Sequence, residues 1–387
     1  MSEEFDPVDL TRALIRCPSV TPVEGGALDL LEARLNKLGF SCRRMIFEDE
    51  GSAPVDNLYA RLGTSGPNFC YAGHTDVVPP GDLTAWSVDP FEGTLRDDRV
   101  IGRGAVDMKG SIAAFVAACQ QYLADQNEPL PGSISLLITG DEEDAAINGT
   151  RKVLARLADE GERLDVCLVG EPTSNSNLAD MIKIGRRGSL NGVLRVQGTQ
   201  GHTAYPQLAD NAAHHLVRML GTLTAEELDQ GNDYFPPSNL QVTSIDIGNP
   251  VSNVIPGQAE ARFNVRFNSE YDSQGIVDWV RARLDGEGAA YDLDIRVSGE
   301  SFLCPPGPWS DLLSGAVKEV TGQDPELGTT GGTSDARFIK DFCSVAELGL
   351  LNATAHKVDE QVPVEDLRAL TNIYLRILQG YFSSAGP

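Results

Sequence analysis

Four short apolar runs in this chain end alike, and that recurrence constrains the fold more than any other feature. Residues 68–72 run into Gly73-His74-Thr75-Asp76, and 133–139 into Gly140-Asp141-Glu142-Glu143-Asp144. Residues 164–169 run into Gly170-Glu171-Pro172, and 345–350 lead past Leu351 to Asn352-Ala353-Thr354-Ala355-His356. Helical patterns lie between the runs. Residues 27–38 place Leu28, Leu31, Leu35 and Leu38 at helical spacing before Gly39, and 110–123 carry Ile112, Phe115, Val116 and Cys119 in an Ala-rich stretch. Strands alternating with helices of this length predict an α/β fold, a mixed, largely parallel sheet covered by helices. Ligands bind outside the carboxyl ends of the strands in such a sheet, where the His and acidic residues recur.

The pattern changes near Gly185. Polar and apolar residues alternate over 189–197, as in a half-exposed strand. A helix is expected at 211–223, strands at 240–247 and 259–267, a helix at 273–284 and a strand at 291–297. That order is the split βαβ arrangement of a small α+β domain. After the Pro-rich stretch 304–308 the α/β character returns, with a last helix over 364–378. The expected organisation is one catalytic domain, residues 1–185 and 300–387, interrupted by an inserted domain over 186–299.

Composition narrows the function. Lys and Arg number 31 against 56 Asp and Glu, a net charge of -25. So acidic a surface repels phosphate backbones and anionic headgroups, so neither nucleic-acid nor membrane partners are expected. The apolar runs are too short to span a bilayer, and the opening MSEEFDPVDL has no signal-peptide character. Seven scattered cysteines without a CxxC pair fit reduced thiols in a cytoplasm. A soluble cytoplasmic enzyme is the expectation.

Imidazole with several carboxylates and no thiolate suits Zn, Mn or Co. Two histidines with three or more acids exceed the usual three protein ligands of one catalytic zinc, whereas two metals sharing a bridging carboxylate would use them all. Asp107, in Gly102-Arg103-Gly104-Ala105-Val106-Asp107-Met108-Lys109-Gly110 just before a helix, is a natural bridge. The glycines of that segment do not make a dinucleotide loop, because the third glycine and the preceding strand are missing. Adjacent Glu142 and Glu143 point different ways, so one can bind metal while the other takes a proton from water. Asp76, two residues after His74, is placed to hydrogen-bond the ring nitrogen that faces away from a metal. His214 and His215 sit within a predicted helix with no motif and are read as structural.

GHTDVVP, GRGAVDMKG, TGDEED, GEPTS, RRGSL, GTQGHTAYP, NVIPG, GGTSDARF and NATAHKVDE, in this order along nearly the whole chain, resemble the M20 family of di-zinc amidohydrolases and peptidases. The resemblance implies a zinc-peptidase-like catalytic domain with an inserted dimerisation and lid domain. It implies two Zn(2+) per subunit, with Co(2+) or Mn(2+) as possible substitutes, one held by His74, Asp107 and Glu171, the other by Asp107, Glu143 and His356. Glu142 would be the general base, Asp76 the residue orienting His74, and the Asp107–Met108 peptide cis. His202 would be an oxyanion donor entering from the partner subunit of a homodimer. Arg186, Ser189, Asn253, Arg266, Thr333 and Asn352 match substrate-contact positions. The segments GGTSDARF and NATAHKVDE narrow the expected reaction to hydrolysis of N-succinyl-LL-2,6-diaminopimelate to succinate and LL-2,6-diaminopimelate, in lysine and diaminopimelate biosynthesis. The alternatives within the family are an acetylornithine deacetylase, an aminoacylase or a dipeptidase. One departure is Asp144, where the family commonly has glycine.

Overall fold

The computed structural model describes residues 6–126 and 129–384; the start of the acidic N-terminal stretch lies outside the described residues. Eight strands form one mixed sheet, in the order Ser41–Phe47, Val55–Leu62, Ser133–Thr139, Asn68–His74, Val166–Val169, Ser344–Glu347, Met181–Lys183 and Glu326–Gly328. The four strands singled out by sequence are contiguous here and mutually parallel. Their carboxyl ends therefore emerge side by side at one edge of the sheet, although they are scattered along the chain. Asn68–His74 and Ser133–Thr139 are buried at every position, as the uninterrupted apolar runs require.

Helix Lys109–Ala124 has 13 of its 16 residues buried, which its small alanines allow, so it packs on all sides. Phe115 joins it to the sheet, its ring stacked on Tyr71 with centroids 4.1 Å apart. Tyr374 of the last helix, Val364–Ser384, meets both rings edge-on at 5.8 Å. The strand pair Ser41–Phe47 and Val55–Leu62 is antiparallel and carries polar residues such as Arg43, Arg44 and Asp56 among its apolar ones. That mixed pattern is why no strand was expected there.

The chain divides into two compact units. The first comprises the chain through Ile184, Cys304–Gly328 and everything from Ser334. The second is Gly185–Leu303 with the short segment Thr329–Thr333. Within it the Thr329 hydroxyl donates to the Tyr234 carbonyl at 2.6 Å. The second unit holds an antiparallel sheet in the order Asn239–Asp246, Gln258–Phe267, Gly188–Gln197 and Tyr291–Gly299. Helices Ala212–Thr224 and Ser273–Asp285 cover one face, burying Leu216, Met219, Ile276 and Val280 against Leu190, Leu194, Phe263 and Val265. Asn211 caps the first of these helices, its side-chain oxygen accepting from the amides of Ala213 (3.0 Å) and His214 (3.3 Å). Among the described residues no helix is long and apolar enough to cross a membrane. All seven cysteines are free.

Candidate metal centre

Each chemically reactive group of the first unit sits where a strand or helix ends. His74 closes its strand, Glu142 and Glu143 follow the next one, and Glu171 follows Val166–Val169. Asp107 precedes the amino end of helix Lys109–Ala124, whose dipole favours a carboxylate. His356 follows strand Ser344–Glu347 by way of the short turn Asn352–Thr354. His74 Nε2 lies 3.1 Å from Asp107 Oδ1, 3.7 Å from Glu171 Oε1 and 3.9 Å from Glu142 Oε2. His356 Nε2 lies 3.0 Å from Glu143 Oε1 and 3.2 Å from Asp107 Oδ2. Asp107 thus presents one oxygen to each imidazole.

Donor atoms of His74, Asp107 and Glu171 all fall within 4.8 Å of one another, as do those of Asp107, Glu143 and His356. His74, Glu142 and Glu143 meet the same limit, so Glu142 stands beside both sets. The ring orientation of His74 follows from its other nitrogen. Nδ1 faces the Asp76 main-chain carbonyl at 2.9 Å, an acceptor only, so Nδ1 carries a proton and Nε2 is the nitrogen turned towards Asp107. The expected partner was the Asp76 side chain, which is 3.6 Å away. That carboxylate instead accepts from the amides of Glu142 (3.3 Å) and Glu143 (3.0 Å), so it holds the two glutamates as well. The Asp107–Met108 peptide is cis.

Burial pushes Glu142 well above the usual carboxylate range, and the charge of Glu171 adds to this. Burial alone would lower His74, but its hydrogen bond to Asp107 and the charges of the neighbouring carboxylates carry it well above the ordinary imidazole value. His356 is raised to about 10 by its hydrogen bonds to Asp107 and Glu143. For Asp107 burial acts upward, yet hydrogen bonds from His356 and His74 hold it below its ordinary value. The pocket is a cluster of acids short of positive charge, with imidazole and carboxylate donors at ligand spacing and no thiolate. That chemistry fits a metal cofactor of the Zn, Mn or Co kind.

Three charged residues here had no role from sequence. Asp335, in the GGTSDARF segment, is buried close enough to Glu142 to raise it. Glu360 and Arg103 form a buried ion pair at 2.7 Å beside the Asp107 loop. All three stood inside the motifs as unexplained charges, which was the available signal.

The second unit gathers its own set. Ser189 and Arg266 are directly opposite on paired strands, and Asn264 links them, donating to the Ser189 hydroxyl (3.3 Å) and accepting from Arg266 Nε (3.1 Å). Arg186 is buried and donates to the Gly332 carbonyl at 3.0 Å, next to Thr333. Burial holds Arg266 below the ordinary guanidinium value, with the charge of Arg187 adding to this. His202 is exposed; its Nδ1 accepts from the Ala204 amide at 3.0 Å, so the hydrogen of the neutral ring sits on Nε2. Asn253 is exposed and its carbonyl accepts from the Thr203 amide at 3.1 Å. Asn352 belongs to the first unit, exposed on the turn before His356. His215 contacts Asp210 at 2.6 Å.

The sequence profile of peptidase family M20/M25/M40 matches residues 70–380, and the chain belongs to that family. It is 56% identical over 382 residues to the succinyl-diaminopimelate desuccinylase of Rhodospirillum centenum, covering 99% of both chains. It is 54% identical over 376 residues to the enzyme of the same name from Xanthobacter autotrophicus, covering 97% of this chain and 99% of the other. Among solved structures, the M20 family metallo-carboxypeptidase Sso-CP2 from Sulfolobus solfataricus superposes with a TM-score of 0.79 at 18% identity, over 98% of this chain and 99% of that one. The Bacillus subtilis YXEP protein, described as a dinuclear metal binding peptidase of the M20 family, gives 0.65 at 15% identity over 96% of each chain. Those two likenesses speak to the fold.

Proposed function

We infer that the protein hydrolyses N-succinyl-LL-2,6-diaminopimelate to succinate and LL-2,6-diaminopimelate, a step of lysine and diaminopimelate biosynthesis. The observation that carries this is identity above half of all positions, over nearly the full length, to desuccinylases from several bacteria. The overlapping donor sets support two metal ions, one at His74, Asp107 and Glu171, the other at Asp107, Glu143 and His356. When bound, two such ions polarise the amide carbonyl and acidify water, and zinc is the ion we propose, with cobalt or manganese as substitutes.

Glu142 is the general base. Its carboxylate takes a proton from the attacking water as the oxygen adds to the succinyl carbonyl, then passes that proton to the leaving amine as the C–N bond breaks. Asp76 fixes the tautomer of His74 through its carbonyl and the stance of Glu142 through its side chain. The roles of the second unit rest on its chemistry. His202, with its hydrogen on Nε2, is suited to donate to the tetrahedral oxyanion. Arg186 and Arg266 are suited to bidentate contacts with the substrate's carboxylates, and Ser189, Asn253, Thr333 and Asn352 to hydrogen bonds. A cytoplasmic homodimer through this inserted unit is part of the same reading. Exposed Ile245 on its edge strand and Val217 on helix Ala212–Thr224 support an interface there.

The test is hydrolysis of N-succinyl-LL-diaminopimelate by metal-stripped protein given none, one and two equivalents of zinc, beside N-acetylornithine. Metal-dependent succinate release with little acetate is expected. A tenfold preference for the acetyl compound overturns the assignment and moves the protein elsewhere in the family.

A further inference from the structure

Glu360 is fully buried and its carboxylate is saturated by the loop that carries Asp107. Oε1 accepts from the amides of Val106 (2.8 Å) and Asp107 (3.1 Å), and Oε2 from the Gly104 amide (3.0 Å) and Arg103 Nη1 (2.7 Å). The Glu360 carbonyl accepts from the Gly102 amide at 2.9 Å. Gly104 stands at φ +86°, and a Cβ there would lie 2.8 Å from Val77 Cγ1, so the loop needs both its glycine and the carboxylate it wraps. Arg103 reaches the other way. Its Nη1 donates to the Lys357 carbonyl (3.2 Å) and its Nη2 to the His356 carbonyl (3.4 Å). His356 has φ +61°, a left-handed conformation that a non-glycine residue keeps only when its surroundings hold it.

We propose that Arg103 and Glu360 are a positioning pair: Glu360 fixes the loop that presents Asp107, and Arg103 fixes the backbone that presents His356. One buried ion pair then sets the spacing of two ligands that lie far apart along the chain. The proposal rests on reading the two donor sets as a metal site. It differs from plain structural stabilisation in a measurable way. A buried pair that only stabilises the fold leaves metal affinity unchanged in protein that remains folded. A positioning pair changes it, as partners of metal ligands commonly do by 10–100-fold.

The test uses the full chain, stripped of metal, with zinc titrated against a competing chelator so that two dissociation constants are read, and circular dichroism as the check on folding. Glu360→Gln keeps the shape but loses acceptor capacity towards the loop, so both ions, which share Asp107, should weaken by about 10–100-fold. Arg103→Lys keeps the charge and one contact to Glu360 but lacks the fork that reaches both carbonyls. It should weaken one ion by about tenfold or more and leave the other within about twofold. Folded variants whose two constants both match wild type overturn the positioning role and leave the metal site standing. If Glu360→Gln does not fold, Arg103→Lys decides by the same criterion. Wild-type protein that takes up no zinc overturns the metal-site reading and this proposal together.

Discussion

Several candidate residues of the two units are held differently, although Arg186 and Ser189 of the second unit are buried and His356 of the first is exposed. In the first, His74, Asp107 and Glu171 are largely buried, and their backbone is tied down by carboxylates that collect amides, Asp76 for the glutamate pair and Glu360 for the Asp107 loop. In the second, His202 stands exposed with its ring bonded to the Ala204 amide of its own turn, and Arg266 leans on Asn264 of the same strand. Metal chemistry demands donors fixed to a fraction of an ångström before the ion arrives. Substrate recognition tolerates side chains that settle on the ligand. The buried cluster suits the metal binding proposed for the first unit and the exposed side chains suit the substrate recognition proposed for the second, so changes in each should read out differently.

The largest expected effect is Glu142→Gln. Turnover of the succinyl substrate should fall by about 10²–10⁴-fold, the usual worth of a positioned general base, while zinc content per chain stays at the wild-type value. Loss of zinc in step with activity would show Glu142 to be a ligand instead, which its distance to His74 permits. His202→Ala comes next, with a loss of about 10²–10³-fold in kcat and unchanged zinc affinity. Mixing the two variants as exchanged subunits should recover activity if His202 acts across a subunit interface. No recovery after proven exchange would confine His202 to its own chain or remove it from the reaction. Arg186→Lys should cost less, about 10–100-fold in kcat/KM, carried mainly by KM, because an ammonium replaces the planar fork but keeps the charge. A fall in kcat with KM unmoved would take Arg186 out of substrate binding.

Sequence reading reached the metal cluster further than the rest because its signal is local. His74, Glu142, Glu143 and Glu171 each follow a buried apolar run, and a parallel sheet brings such ends together whatever their distance along the chain. The bracketing strands Ser41–Phe47 and Val55–Leu62 escaped because polar residues interrupt their pattern. The short strands Met181–Lys183 and Glu326–Gly328 are too brief to carry any period. Asp76 shows the limit for side chains. Spacing placed it beside His74, but which of its oxygens meets the ring depends on the amides of Glu142 and Glu143, more than sixty residues away. Glu360 and Arg103 stood in the motifs as charges, but their roles were hidden for the same reason, since most of their partners are backbone groups that only the folded loop gathers.

The smallest effect tests the contrast between the units most directly. Removing metal leaves part-buried Asp107 and Glu142 and buried Glu171 facing one another without the ion, whereas the core of the second unit holds none of these carboxylates. Chelation should therefore raise amide exchange in the loops around residues 102–108, 140–144 and 353–357, and lower the melting temperature by several degrees. An ion held at 100 times its Kd contributes about 2.7 kcal/mol to the state that binds it. Amides of strands Gly188–Gln197 and Gln258–Phe267, whose core is Leu190, Leu194, Phe263 and Val265, should keep their protection. Exchange rising equally in both units would mean that they unfold as one cooperative body. The rigidity assigned to the metal cluster would then belong to the whole chain.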